Sequence, residues 1–287
     1  MTTEIARLSQ ASLDPLHAMI YFAPESEEEF TALGLEKGLM AYCAGRAAAM
    51  GPVPGGVVAA TFFNFNPAAV ATVIPHAWTL SSPDDVIAAR YRAVDRALRR
   101  LLGDEIADST EVAESAAVAK EAAEACTPDG KPLYAGHADL EWPQAPHLRL
   151  WHGVTLLREF RGDAHVAALH TAGLSGLQAL VLHVSTGKAF TESAAKATRA
   201  WSDEQWTATQ HELREQGLLD EQGTITEEGT KLREDVETAT DSQSMAPWMR
   251  IGAEKIERLT RHGAELSHQV LKNGGLPQKL FARKTSG

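Results

Sequence analysis

The sequence predicts a mainly α protein: a helical N-terminal domain followed by a C-terminal helix-turn-helix module with a small β-wing. Three observations predict it. Alanine is abundant and aromatic residues make up only 6% of the chain, a composition that favours helices. Apolar residues recur at helical spacing in several segments set apart by Gly/Pro breaks. Near the C-terminus, "SDEQWTATQHELREQGLLDEQGTIT" passes from a capped helix through a glycine stop into two short strand-like runs.

From the N-terminus, Ser26 is a plausible cap for a helix with "EEE" in its first turn, where carboxylates suit the helix dipole. Its apolar face is Phe30, Leu33, Leu35 and Leu39, and "GPVPGG" stops it. Pro67 fits the first turn of another helix. Ser82 caps the strongest amphipathic helix, with Pro83 at its first position and a stripe of Val86, Ala89, Ala93, Ala97 and Leu101. "EVAESAAVAKEAAEAC" is a further helix. The Pro/Gly-rich stretch 127–147 is the best domain boundary, giving a helical domain over 1–126, a second domain over 148–245, and a C-terminal helix and tail over 246–287. The short helices between breaks in the first domain leave room for a degenerate second helix-turn-helix.

In the C-terminal module Ser202 is an N-cap with Gln205 at the capping-box position, and Trp206 and Leu213 share a face. Gly217 occupies the C′ stop. "LLDEQGTIT" reads as strand, turn and strand, and Thr226 caps a helix carrying Leu232 and Val236. This order is that of a winged helix-turn-helix. Its charge is unusual. Between Ser202 and Asp241 there are twelve acidic and three basic residues, a net of −9 out of the chain's −11. The wing tip "DEQGT" offers no cation to a phosphate.

Two clusters are candidates for a binding site. Arg158, Arg161 and His165 follow an i, i+3, i+7 spacing, one face of a continuous helix, although Gly162-Asp163 also fits a break with Asp163 capping the next helix. Arginine forks of this kind suit a carboxylate, phosphate or phenolate. His17, Tyr21, Asn64 and Asn66 sit among Phe22, Phe62, Phe63 and Phe65, the composition of a small-molecule pocket. The bland alternatives are a solvated face for the first cluster and a satisfied core for the second. If the chain is an enzyme, His165 or His152 is the expected general base and Tyr21 the oxyanion donor.

Other classes find little support. The histidines show no metal-ligand spacing, and the phosphate loop, dinucleotide and serine-elbow motifs are missing, so neither metal nor cofactor is expected. Cys43 and Cys126 lie far apart, which favours a reducing cytoplasm over a disulfide framework. No secretory leader and no membrane span is expected. DNA binding would draw on Arg90, Arg92, Arg96, Arg99 and Arg100 with the tail "QKLFARKTSG".

The phrase "L…GLL…TEEG" around residues 150–245 resembles the MarR-type winged-helix regulators. "HAMIYFAPE", "GRAAAMGPVP", "FNFNP", "LREFRGDAHVAAL" and "SGLQALVLH" extend the resemblance, over nearly the whole chain, to a group of actinobacterial proteins related to them. The resemblance implies architecture more than chemistry: DNA binding coupled to small aromatic ligands, and a homodimer formed through terminal helices. The acidic wing departs from the DNA half of that pattern. The expected function is therefore binding of a small aromatic or anionic molecule between the domains, with weak or no DNA binding. An enzyme acting on an acidic substrate and a DNA-binding regulator are the alternatives.

Overall fold

The computed structural model describes residues 3–187 and 190–280. Its first half comprises α1 (Thr3–Ala18), α2 (Pro24–Ala32), α3 (Leu39–Ala47), α4 (Gly55–Phe62), α5 (Pro67–Val73), α6 (Ala77–Leu80), α7 (Pro83–Leu102), α8 (Asp104–Ala107) and α9 (Thr110–Ala123). The short α10 (Pro132–Ala138) lies in the connection. The second half comprises α11 (Pro146–Thr171), α12 (Gly176–Val184), α13 (Glu192–Arg199), α14 (Asp203–Glu215), α15 (Glu227–Gln243) and α16 (Ala246–Lys272).

Each half begins with a helix and continues through short ones to longer ones, α7 and α9 in the first half and α15 and α16 in the second, and the two halves exchange their ends. α1 packs along α16, while α11 packs along α9. α1 also meets α15, and α11 meets α7. α1 also packs against α11, and α9 against α16. The resulting shared core draws Leu13, Leu101, Ala119, Val154, Leu157 and Leu259 from both halves. Burial of such side chains stabilises by roughly 1.5–3 kcal/mol each, so neither half retains its apolar faces without the other. Two smaller cores sit at the ends: Phe30, Cys43, Phe62 and Phe65 in the first half, and Leu180, Trp206 and Leu213 in the second.

Local signals placed the strongest helix ends correctly. The Ser82 side chain accepts from the Asp85 N–H, with Pro83 opening α7. Ser202 and Gln205 form the reciprocal capping box of α14. Gly217 follows α14 at φ 72°, a left-handed conformation that glycine adopts without steric cost. Thr226 caps α15 through the Gly229 N–H.

Four expectations are corrected. The β-wing is absent as a pair of strands. A single antiparallel bridge, Leu219 to Ile225, is all that forms among the described residues there. The Asp220 carboxylate accepts from the N–H groups of Gln222 and Thr224, closing the loop after one rung. Because Gly217 ends α14 and Thr226 starts α15, no chain remains to lengthen the ladder. The helix expected to carry Phe30 to Leu39 is two helices, broken at Gly34 and Gly38, both at positive φ. Ser26 lies inside α2, whose N-cap is Ala23, and its hydroxyl donates to the Ile20 carbonyl at 2.6 Å. Finally, α11 runs unbroken through Gly162-Asp163. Asp163 instead caps a different helix, accepting from the N–H groups of Leu133 and Tyr134 at the start of α10.

Candidate ligand site

The unbroken α11 carries its residues Arg158, Glu159, Arg161 and His165 past α1, α3 and α15. Glu159 is fully buried and accepts from two arginines. Arg46 of α3 grips it as a fork, Nε to Oε1 at 3.2 Å and Nη2 to Oε2 at 2.7 Å. Arg158 Nη1 donates to both carboxylate oxygens at 3.0 Å. Burial opposes the charge on Glu159, yet Arg158 and Arg46 hold its carboxyl well below the usual carboxylate range. One buried anion thus faces two cations.

A third cation stands close by without a carboxylate. Arg199 ends α13, and its guanidinium lies over the ring of Phe65 at 4.9 Å and that of Phe190 at 5.2 Å. Its Nε is buried and without a hydrogen-bond partner, and its Nη1 donates to Thr198 Oγ1. Burial lowers its pKa, and the charges of Arg46 and Arg158 push the same way. Among the described residues no carboxylate lies within ion-pair distance of it.

Two cavities meet at these arginines. One of about 650 Å³ is lined by Tyr42, Arg46, Phe62, Phe65, Arg158 and Arg199 among others. The second, of about 470 Å³, shares Tyr42, Arg158 and Arg199 and adds Tyr21, Phe22 and Phe190. Tyr42 stacks on Phe65 at 5.1 Å and leans on Tyr21 at 4.9 Å between ring centres. The walls are partly aromatic, and five arginines line the larger cavity beside three carboxylates, Asp14, Asp163 and Glu237; Asp14 also lines the smaller one.

Asn64 and Asn66 belong to the loop that holds Arg199 in place. The Asn66 N–H donates to the Arg199 carbonyl at 3.0 Å, and its side-chain amide donates to the Ala200 carbonyl at 2.9 Å. Trp201 Nε1 donates to the Asn64 carbonyl at 2.9 Å. Gly176 lets this loop approach α12, since a Cβ there would stand 1.8 Å from the Phe63 carbonyl oxygen. The first half thus clasps the C-terminus of α13 and seats Phe65 against the Arg199 guanidinium.

The expected site residues are placed as follows. Tyr21, Asn64, Arg158, Arg161 and His165 line the two cavities. His17 stands behind Tyr21, fully buried. The Thr155 hydroxyl spends its hydrogen on the Trp151 carbonyl, so it accepts from His17 Nδ1–H at 3.0 Å. His17 Nε2 therefore accepts from the Tyr21 hydroxyl at 2.9 Å, and Tyr21 presents lone pairs to the cavity. Arg161 is committed, donating to Asp241 at 2.6 Å and to Glu237 at 2.8 Å on α15. His165 Nδ1 bonds Thr240 Oγ1 at 3.0 Å. Asn66 caps α5 and does not line either cavity. His152 lies elsewhere, 2.6 Å from the Tyr91 hydroxyl and edge-on to Trp142. Tyr42, Arg46 and Arg199 had not been singled out. The i, i+4 spacing of Tyr42 and Arg46 in "YCAGR" was the available signal for two of them.

The arginines of α7 have other partners. Arg92 and Arg96 pair with Glu28 and Glu29, Arg99 with Asp95, Asp104 and Asp108, and Arg100 with Glu25. Arg90 is buried. The tail from Phe281 onward lies outside the described residues. Among the described residues no cluster of metal-ligating side chains forms, and no single helix is long and apolar enough to cross a membrane.

Several histidines are held neutral. Burial lowers His17 well below its usual range, His137 to about 3 and His152 to about 4. The unfolded chain protonates these groups near pH 6.5 while the folded chain does not, so it binds more protons as pH falls below that value. Stability is therefore expected to drop between pH 6.5 and 4, measured as a falling urea midpoint. A midpoint that stays level from pH 7 to 5 would contradict the buried neutral histidines.

Capped α14 and α15, joined by a turn with a single bridge, follow the order of a helix-turn-helix architecture. The chain belongs to a helix-turn-helix family, whose model matches residues 6–277. No curated protein and no solved structure matches it.

Proposed function

We propose that this protein binds a small aromatic anion in the cavity between its two halves, as a ligand-responsive regulator or sequestering protein of the cytoplasm. The observation that carries this reading is Arg199: a largely buried guanidinium between two aromatic rings, beside two further arginines, with no carboxylate of its own. An unpaired buried charge is costly, and a ligand carboxylate would remove that cost. Kinship with MarR-type regulators belongs to the same proposal, supported by the helix order from α11 to α16. So does a degenerate helix-turn-helix in the first half. A single chain suffices in this reading, because its halves already exchange their first and last helices as two subunits would.

Calorimetric titration with benzoate and 4-hydroxybenzoate tests it, with the methyl esters as neutral controls. The acids are expected to bind at one equivalent per chain in this cavity, and the esters at least tenfold more weakly, since a charged hydrogen bond contributes roughly 1.5–3 kcal/mol. Equal binding of acid and ester, or none of either at millimolar concentration, would remove the proposal.

Family membership keeps DNA binding as a second reading. The surface of α14 opposes it: Asp203, Glu204, Glu212 and Glu215 are exposed, whereas Arg214 turns back to the Asp220 carbonyl. We expect no retardation of duplex DNA by the native protein at low salt. Replacing those four carboxylates with glutamine should create weak, strongly salt-dependent binding if the fold suits DNA. Retardation by the native protein would favour the DNA reading. The enzyme reading would use His165, which lines the larger cavity, as the general base; turnover of a bound acid would favour it.

A further inference from the structure

A third cavity, of about 340 Å³, lies against Tyr21 and Tyr42, which also line the Arg158–Arg199 cavity, so the two tyrosines form a shared wall. Arg90 reaches this cavity from α7 and is 4% exposed. Its Nη1 donates to the Gly45 carbonyl at 3.1 Å and to His137 Nε2 at 3.0 Å. Burial keeps His137 neutral, lowering its pKa to about 3, and its Nδ1 donates to the Leu133 carbonyl at 2.8 Å, which leaves Nε2 as the acceptor. Both partners are thus uncharged. Arg90 also lies over the Trp151 ring at 5.0 Å. Its Nη2 is buried and has no partner, and no carboxylate pairs with it among the described residues.

We propose that Arg90 anchors a second ligand site, for a compact monocarboxylate with an apolar body. One unneutralised guanidinium with a vacant donor matches one negative charge. The wall hydroxyls of Ser26 and Thr31 are spent on the carbonyls of Ile20 and Glu27, and Lys37 at the same cavity pairs with Glu27. A phosphate dianion would lack the second cation it needs. The remaining wall, with Ile20, Phe22, Phe30 and Ala41, takes the apolar body. This site does not depend on Arg199, since the two arginines line different cavities.

The test uses 4-iodobenzoate, whose iodine is located by anomalous scattering in co-crystals and whose stoichiometry is counted by equilibrium dialysis. An iodine peak in the Arg90 cavity is expected, with the carboxylate in hydrogen-bond range of Nη2. Ala41 lines this cavity and not the other two, so Ala41→Phe should fill it and lower the dialysis count by one equivalent. Arg90→Gln should do the same. Arg199→Gln should remove only an equivalent bound in the neighbouring cavity. If Ala41→Phe folds and leaves the count unchanged, or if the Arg90 cavity shows water and no iodine, the second site is wrong. If Arg199→Gln left the count unchanged while the Arg90-dependent equivalent stood, the reading of the first cavity would be at fault instead.

Discussion

Arg199→Gln is expected to weaken binding of an aromatic carboxylate by roughly 10- to 100-fold, the effect of losing a charge-assisted hydrogen bond in a partly dry site. Thermal stability without ligand should stay level or rise. In most proteins a buried arginine is half of an ion pair, and its removal strands the partner. Here the stacking partners are Phe65 and Phe190, and the neighbouring charges are the like-signed Arg46 and Arg158. Removing the guanidinium therefore relieves repulsion and strands no anion. Arg199→Lys should not rescue binding, because an ammonium neither spans two rings nor offers a planar fork. Calorimetry and a thermal melt on the same sample read both halves of the prediction. A variant that binds normally would exclude Arg199 from the site. One that loses stability and binding together would make its role structural.

Much of the helical framework was legible because caps and stops are local. Ser82-Pro83, Ser202 with Gln205, Gly217 and Thr226 each act within one helical turn, and each stands where its neighbours in sequence put it. The errors arose where a residue answers to something distant. Asp163 looks like a cap for the residues after it, but its acceptor oxygen serves α10, some thirty positions earlier. The wing looks like two strands by alternation, but ladder length is set by the space between two helix ends. The site divides in the same way. Arg158 was legible as part of a cationic helix face, and Tyr21 as a polar group among aromatics. Arg199 was not, because what distinguishes it is the absence of a partner. Partner inventories exist only in three dimensions, and a spacing rule finds pairs more readily than it finds a residue left alone.

The arrangement around Glu159 supports the converse expectation. Glu159→Gln keeps the shape of the side chain and removes the one anion that holds Arg46 and Arg158 together. The loss should destabilise the fold by about 3–5 kcal/mol, the cost of breaking a buried ion pair from one side. Urea denaturation at pH 7 is the measurement. The double variant Arg46→Met, Glu159→Leu should recover part of that loss, since it leaves fewer buried charges unpaired. The pH dependence has a definite sign. The folded pKa of Glu159 lies well below the ordinary carboxylate value. Its contribution is therefore complete above about pH 4.3, the unfolded value, and is lost as pH falls through the lower folded pKa. His17, His137 and Asp163 all feel the Glu159 charge, so their titration differs between native protein and Glu159→Gln. Asp163, raised to about 6 by burial and in part by the Glu159 charge, changes the gap between the two proteins near that pH, and the contribution of Glu159 itself is read as a narrowing only in acid below about pH 4.3. A gap that already closes near pH 6 would mean that the Arg46–Glu159–Arg158 triad does not stabilise the fold as its geometry implies.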